Sequence, residues 1–230
     1  MTVPPRPRYA DPKYSRAIRE QERLREALRI LPLPGKISAV GGADVSFTMW
    51  GKDFFGAVVV CDLDGGLATL DQAVAYEKVD FPYIPGLLGF REVPVLRKAF
   101  GKLSRPPDVL LVDAHGIAHP RGFGSASHLG VVLDVPTVGC AKSRLCGEHD
   151  EPPAEKGGRT PLVFGGETVG IVLRTRCGVS PVYVSPGQRA DPASSAELAL
   201  RCCPRYRIPE PLRRAHDLAN RARRGEVPCR

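Results

Sequence analysis

The sequence predicts an α/β protein with a mixed β-sheet that carries helices on both faces. Three observations predict this fold class. The aliphatic run Val109–Val112 lies between Pro-Pro-Asp and a polar turn, which is typical of a short strand buried on both faces. Strand-like segments joined by Gly-rich turns precede it over residues 37–79, which indicates three antiparallel strands. Helical and strand-like segments alternate after it, which indicates further strands parallel to the central one.

The first helix is predicted over residues 12–30. Asp11 provides an N-cap, and Pro12 suits the first helical position. Residues at three- and four-residue spacing define the face of this helix that packs on the protein: Tyr14, Ala17, Ile18, Gln21, Leu24 and Leu28. Residues 1–10, which are rich in proline and arginine, are predicted to form a disordered arm before the helix.

The other elements follow in chain order. Before the central strand we expect strands at residues 37–47, 54–62 and 70–79, and a helix over 86–100 with a kink at Pro94. After it the predicted elements are a helix at 125–133, a strand at 137–141, a polar loop at 144–160, a hairpin of 162–164 with 168–174, a strand at 182–184, and helices at 194–202 and from Pro209. Residues 11–222 are expected to form one domain, and residues 223–230 a loose basic tail.

The charge is concentrated at the two ends of the chain. The formal net charge is +8, of which residues 1–30 contribute +4 and residues 201–230 contribute +6, so the middle of the chain carries −2. Lysine and arginine that neutralise phosphates release counterions, so this balance favours a polyanionic partner such as nucleic acid. Basic solvated faces also occur in proteins that bind no nucleic acid, and charge alone leaves both readings open.

The composition excludes several other classes. No apolar run approaches the roughly 20 residues that cross a bilayer, and the N-terminus lacks the apolar core of a signal peptide. We therefore expect a cytoplasmic protein without a membrane partner. Seven cysteines form an odd set without a Cys-x-x-Cys pair, which indicates reduced thiols rather than a disulfide framework or a thiolate zinc site.

Three acidic residues stand where a core should be apolar. Asp113 directly follows the central strand, Asp44 interrupts the first strand, and Glu92 lies on an apolar helix face. If the first and fourth strands pair at the centre of the sheet, Asp44 and Asp113 become neighbours. Two carboxylates at so short a distance repel each other unless a divalent cation lies between them. This arrangement suits hydrolysis of a phosphodiester assisted by Mg²⁺. The alternative for Asp113 alone is a carboxylate that caps the next turn.

Six motifs in this chain together resemble the endonuclease V family of deoxyinosine-cleaving repair nucleases, in the family's order and across about residues 14–220. The motifs are Gly-Ala-Asp-Val-Ser at 42–46, Phe-Pro-Tyr-Ile-Pro-Gly-Leu-Leu-Gly-Phe-Arg-Glu at 81–92, Val-Asp at 112–113 with His-Pro-Arg at 119–121, Ala-Lys-Ser at 141–143, Ser-Pro-Gly at 185–187, and Tyr-Arg-Ile-Pro-Glu-Pro-Leu-Arg at 206–213. The block at 81–92 is the most specific of them.

The resemblance implies an RNase H-like fold and a Mg²⁺-dependent DNA repair endonuclease, with Mn²⁺ able to substitute. Such an enzyme nicks the second phosphodiester on the 3′ side of deoxyinosine and related lesions and leaves 3′-OH and 5′-phosphate ends. Its partner is DNA that contains inosine or mismatches, with inosine-containing RNA as an alternative, and it is expected to act as a monomer. An inosine-specific endoribonuclease and a non-catalytic nucleic-acid-binding module of the same fold remain as alternatives.

The resemblance also implies a role for each matching residue. The metal-binding acids are Asp44, Glu92 and Asp113, and the catalytic set adds Lys142 near the scissile phosphate and His216 on the last helix. Without the resemblance, His216 is an ordinary core histidine and Lys142 an ordinary surface lysine. A zinc site of His115, His119 and His128 is disfavoured, because the three residues lack helical spacing.

Recognition of the base falls to two further groups of residues. The resemblance gives Tyr83 the role of a wedge that fills the place of the displaced base, and a ring held between prolines is preorganised to stack. The group predicted to contact nucleic acid is Pro82, Tyr83, Ile84, Pro85 and His119, and the predicted base pocket is Gly86, Leu88, Ala114 and Gly116. The family usually has Asp-Gly-x-Gly where this chain has Asp-Ala-His-Gly at 113–116, so Ala114 bears on lesion preference.

Overall fold

A computed structural model of the protein describes residues 12–48 and 51–229. The arm predicted at residues 1–10 lies outside the described residues. The described helices are α1 (Pro12–Arg25), α2 (Gly89–Phe100), α3 (Ser125–Leu133), α4 (Pro192–Arg201) and α5 (Glu210–Arg223). The described strands are β1 (Ala39–Phe47), β2 (Asp53–Asp62), β3 (Thr69–Lys78), β4 (Val109–Val112), β5 (Thr137–Ala141), β6 (Arg159–Phe164), β7 (Glu167–Leu173) and β8 (Val182–Pro186).

The strands of the described residues form one eight-stranded sheet in the order β3-β2-β1-β4-β5-β8-β7-β6. β1, β2 and β3 make the predicted antiparallel meander, and β4 and β5 join β1 in parallel. β8, β7 and β6 then run antiparallel to their neighbours and complete the other side. The predicted mixed α/β fold is therefore confirmed, with the parallel part limited to the three central strands.

The central strand β4 is buried on both of its faces. Val109 and Leu111 belong to the apolar core that contains α4 and α5, whereas Leu110 and Val112 belong to the core that contains α2 and α3. All four residues are at most 2% exposed. Helices therefore cover both faces of the sheet, as the unbroken aliphatic run predicts.

The first helix is shorter than its apolar spacing predicts, because it ends at Arg25 rather than at residue 30. The backbone N–H of Arg29 donates to Oε1 of Gln188 at 2.8 Å, and the carbonyl of Arg29 accepts from the N–H of Arg189 at 2.7 Å. These bonds tie the chain to the segment after β8, so its backbone groups are satisfied without continuing the helix.

The second helix begins at Gly89 rather than at residue 86. Gly86 has φ of +79°, in the left-handed region, which is incompatible with a right-handed helix and which glycine adopts without a steric penalty. Pro94 lies inside α2 as predicted. Its lack of an N–H leaves the carbonyl of Phe90 without the usual helical donor.

The C-terminal segment is attached to the domain. Helix α5 runs to Arg223, and Val227 and Cys229 after it pack against the core, so the described part of the basic tail is not loose. Among residues 12–48 and 51–229, no helix has the length and apolar character needed to span a bilayer.

Helix α5 approaches the sheet most closely at Gly42 of β1. A Cβ atom at Gly42 would lie 2.2 Å from the backbone carbon of Pro211, a distance that real Cβ atoms do not show. Because a backbone cannot move aside like a flexible side chain, we expect Gly42→Ala to lower the free energy of unfolding by about 1–3 kcal/mol. Urea denaturation measures this loss. Gly35→Ala is the matched control, since nothing lies within 4 Å of its Cβ position, and an equal loss in both variants would contradict the packing argument.

Candidate active site

Two carboxylates and an imidazole converge near the C-terminal end of β4, where β1 lies beside it. Ligand atoms of Asp44, Asp113 and His216 all lie within 4.8 Å of one another. Among the described residues this is the group of acidic, histidine or cysteine side chains placed to hold a metal ion. We call these three residues the acidic centre.

Strand pairing brings the two carboxylates together. Ala43 of β1 pairs in parallel with Val112 of β4, so the next residue of each strand, Asp44 and Asp113, lies at the same level of the sheet. The N–H of Asp113 donates to the carbonyl of Ala43 at 3.2 Å and continues the ladder by one bond. The predicted neighbourhood of Asp44 and Asp113 is therefore present in the structure.

His216 reaches the acidic centre from α5. Its Nδ1 lies 2.6 Å from Oδ2 of Asp44, and its Nε2 lies 3.0 Å from Nδ2 of Asn220. The hydrogen bond to Asp44 raises the pKa of the imidazole above its ordinary value. Asp44 and Asn220 thus fix the orientation of a ring whose side chain is 59% exposed. A core histidine would not be so exposed, so that alternative for His216 is wrong.

Lys142 forms an ion pair with Asp113. Burial raises the pKa of the Asp113 carboxyl, the negative charge of Asp44 raises it further, and the ammonium of Lys142 lowers it. The ammonium of Lys142 thus lies at the acidic centre, so Lys142 is not an isolated surface lysine.

Glu92 lies near the acidic centre but outside the group within 4.8 Å. Burial raises the pKa of its carboxyl to about 8, and the negative charges of Asp44 and Asp113 contribute to that rise. A hydrogen bond with Ser125 at the start of α3 acts in the opposite direction. The charges of Asp44 and Asp113 reach this carboxyl, so Glu92 lies close enough to the acidic centre to be influenced by it.

The donor set fits a divalent cation. Two half-buried carboxylates offer oxygen ligands, which Mg²⁺ and Mn²⁺ prefer, and His216 adds a nitrogen that suits Mn²⁺ better than Mg²⁺. Burial and the negative charge of Asp44 both raise the pKa of Asp113, and a bound cation would offset that charge.

A cavity of about 440 Å³ opens beside the acidic centre. Asp113 and Lys142 form part of its wall, and the predicted residues Tyr83, Gly86, Leu88 and Ala114 line it. We call it the base cavity.

Gly116, which was predicted to line the pocket, does not line the base cavity. A Cβ atom at Gly116 would lie 2.0 Å from the carbonyl oxygen of Pro186, so its lack of a side chain serves close packing against β8. Its N–H also donates to Oγ of Ser185 at 2.7 Å. The physical reason for this glycine is therefore backbone packing beneath the cavity.

Residues 83–86 line the base cavity, and we call the segment 82–86 the wedge loop. Tyr83 is 58% exposed at its tip, whereas Ile84 is buried in a small apolar cluster with Ala17 of α1 and Leu87. The buried isoleucine anchors the loop, and the exposed ring of Tyr83 projects beside the cavity.

Three side chains hold the wedge loop through one backbone atom. The carbonyl of Gly86 accepts from Nε2 of Gln21 at 3.0 Å, from Nε2 of His119 at 3.1 Å and from Nη2 of Arg121 at 2.6 Å. Arg121 also donates from Nε to Oε1 of Gln21 at 2.6 Å, and Gln21 donates to the carbonyl of Phe123 at 2.7 Å. This network joins α1, the wedge loop and the segment before α3, and we call it the clamp.

The clamp changes the interpretation of His119. Its Nδ1 accepts from the N–H of Arg121 at 3.1 Å, so both ring nitrogens are engaged and the residue is only 3% exposed. Burial and the charge of Arg121 lower the pKa of the imidazole to about 4, so the ring is neutral at neutral pH. In this structure His119 supports the wedge loop, and it also belongs to the wall of the base cavity.

Gln21 and Arg121 are the residues of the clamp to which the sequence assigned no role. The signal for Gln21 is a polar side chain on the apolar stripe of α1, where burial without partners is costly. Arg121 belongs to the His-Pro-Arg motif, but the sequence does not show where its guanidinium points.

Gln21→Ala is expected to lower the free energy of unfolding by about 2–4 kcal/mol, because it removes the three hydrogen bonds that Gln21 makes with Gly86, Arg121 and Phe123, each worth about 1 kcal/mol. Urea denaturation measures the loss. Gln72→Ala is the control, since Gln72 is exposed on the edge strand β3, and it should leave the stability nearly unchanged. An equal loss in both variants would show that the clamp does not hold the wedge loop.

The fold and the site place this protein among the α/β nucleases that hold a divalent cation on carboxylates at the end of a central strand. The family model for endonuclease V matches residues 22–217. Endonuclease V of Gloeobacter violaceus is 50% identical over 197 residues, which cover 85% of this chain and 80% of the relative. That of Methanothrix thermoacetophila is 52% identical over 184 residues, 80% of this chain and 81% of the relative. The chain belongs to the endonuclease V family.

Solved structures agree with this assignment. Endonuclease V of Streptomyces avermitilis superposes with a TM-score of 0.87 at 40% identity, over 92% of this chain and 93% of that one. The catalytic domain of the human protein gives 0.86 at 31% identity, over 96% and 100%. The protein of Ciona intestinalis, solved in complex with a 23mer DNA that contains an inosine followed by a ribo-adenosine, shares the fold with a TM-score of 0.83 at 24% identity, over 94% and 99%.

Proposed function

We propose that this nuclease depends on Mg²⁺ and nicks DNA at the second phosphodiester on the 3′ side of deoxyinosine, leaving 3′-OH and 5′-phosphate ends. The observation that carries the proposal is the acidic centre, with its ligand atoms within 4.8 Å, directly beside a cavity with an exposed tyrosine on its rim. Family membership supports the reaction, and a protein of the same fold was solved with inosine-containing DNA, so that ligand is the first one to test.

A cation bound at the acidic centre would polarise the phosphate and activate water for in-line attack. Asp44 and Asp113 would hold it, with Glu92 as the further acid that family resemblance implies. His216 is oriented by Asp44 and Asn220, and the ammonium of Lys142 is placed to offset negative charge that develops on the phosphate.

The wedge loop and the base cavity are proposed to select the lesion. Extruding a mismatched or deaminated base costs less than extruding a paired one, and an aromatic ring on the rim can take its place in the stack. Tyr83 is exposed for this role, while Leu88 and Ala114 line the cavity that would receive the base. Ala114 stands where the family usually has glycine and belongs to the wall of this cavity, so it bears on lesion preference.

Cleavage mapping tests the proposal. Matched DNA and RNA strands with one inosine, and controls with adenine at that position, are incubated with Mg²⁺, Mn²⁺ or EDTA, and the product ends are sized at single-nucleotide resolution. We expect one nick in the inosine DNA strand, one nucleotide beyond the inosine's own 3′ phosphate, and none in EDTA. Cleavage confined to RNA would establish the endoribonuclease instead, and absence of cleavage with either metal would support a non-catalytic binding module.

A further inference from the structure

A second concavity adjoins the base cavity at Lys142. It has a volume of about 570 Å³, and its wall includes Lys142, Arg144, Glu151, Arg174, Val179 and Arg207. We call it the basic groove. Lys142 and Ser143 belong to the walls of both the base cavity and the basic groove. The two concavities therefore meet at the lysine whose ammonium pairs with Asp113 of the acidic centre.

The charged side chains of the groove differ in whether protein groups already satisfy them. Arg174 is buried, and its guanidinium donates to the carbonyls of Pro152, Pro153 and Val179 and pairs with Glu151. This pair also neutralises the acid of the groove. Arg174 and Glu151 together contribute a rigid, nearly neutral side to the concavity.

Arg144 and Arg207 carry charge that no acid balances. Neither has a carboxylate partner within 4.0 Å among residues 12–48 and 51–229, and Arg144 is exposed. Arg207 is oriented by Nη2, which donates to the carbonyls of Lys142 and Pro181 at 2.9 Å each. The guanidinium of Arg207 belongs to the wall of the groove, so its charge, like that of Arg144, is available to an anionic oxygen there.

We propose that the basic groove binds backbone phosphate of the cleaved strand on the 3′ side of the cut. This inference rests on the proposed function, because a base held in the base cavity lies 5′ of the cut, and the groove adjoins the acidic centre at Lys142, where the strand continues in the 3′ direction. Arg144 and Arg207 neutralise the phosphate there. The base sequence of the nucleic acid does not affect this contact, since a phosphate group is the same at every nucleotide.

Arg144→Gln tests the groove without touching the acidic centre or a packed side chain. Its matched control is Arg105→Gln, another exposed arginine without a carboxylate partner in the described structure, which precedes β4 at the end opposite Asp113. Fluorescence anisotropy in EDTA measures the Kd of inosine single strands that either end one nucleotide beyond the cut site or extend several nucleotides further 3′.

For the extended strand we expect Arg144→Gln to raise the Kd about 5-fold at 0.1 M salt. The slope of log affinity against log salt concentration should become shallower by about 0.7, because the variant loses one contact with a phosphate of a single strand. The truncated strand should bind the variant and the wild type alike, and Arg105→Gln should behave as wild type on both. Arg144→Glu should enlarge the loss on the extended strand only.

Two results would overturn the groove as a phosphate site: an unchanged salt slope in Arg144→Gln, or an equal loss of affinity for truncated and extended strands. If the proposed function is wrong, the wild-type protein should instead bind inosine strands and adenine strands with equal affinity. The salt slope of Arg144→Gln on an undamaged strand would then still decide whether the groove binds phosphate.

Discussion

Replacement of Asp113 by alanine is expected to lower the nicking rate on an inosine strand roughly 10³-fold, while the strand binds as tightly as before or more tightly. The carboxylate is one of the two in the acidic centre that could hold a divalent cation, and it directly follows the central strand, beside Asp44. Binding should survive because the loss of a negative charge frees Lys142 to pair with phosphate. Single-turnover nicking with saturating Mg²⁺ and anisotropy in EDTA measure the two quantities.

Asp44→Ala should give the same loss of nicking, because Asp44 is the second carboxylate of the centre and also orients His216. Asp64→Asn is the matched control. Asp64 is exposed and pairs with Arg201. It lies in the turn after β2, beside the first residues of β1, whereas Asp44 lies further along β1. A nicking rate near that of the wild type in Asp113→Ala would remove the acidic centre from the reaction, whatever the behaviour of the control.

The fold was predictable wherever one strand or helix carries its own pattern. β4 is four aliphatic residues buried on alternate faces, and α3 has the predicted bounds, Ser125–Leu133. The convergence of Asp44 and Asp113 was also predictable, because it requires only that two strands pair side by side. Each of these inferences depends on near neighbours in the chain or on one strand pairing.

What the sequence does not reveal depends on contacts between distant segments. The clamp joins Gln21 to Gly86 and to Phe123, and periodicity alone shows only that Gln21 lies on the packed face of a helix. The end of α1 at Arg25 is set by bonds to the segment after β8. Gly116 looks like a pocket glycine beside Asp113, but its space is filled by the backbone of Pro186. Tertiary packing decides all three cases, and no local pattern records it.

The exposed ring of Tyr83 is expected to account for most of the preference for inosine. Tyr83→Ala removes a stacking surface worth about 1–3 kcal/mol, so the ratio of kcat/KM for inosine over adenine duplexes should fall roughly 5- to 100-fold. The cut position and the Mg²⁺ concentration for half-maximal activity should not change, because the ring lies on the rim of the cavity and not in the acidic centre. Steady-state kinetics on matched duplexes, with a fluorescent base analogue opposite or beside the lesion to report unstacking, measure both effects.

Two variants separate the ring from the loop that carries it. Tyr83→Phe keeps the aromatic face and should retain the preference, since stacking needs the ring and not the hydroxyl. Tyr76→Ala removes an exposed tyrosine of β3 that is bonded to Asp53, so it controls for the loss of any surface ring. Because Ile84 and the clamp anchor the wedge loop independently of Tyr83, the alanine variant should keep the loop in place. If Tyr83→Ala and Tyr76→Ala discriminate equally well, recognition depends on the cavity walls and the wedge role of Tyr83 is wrong.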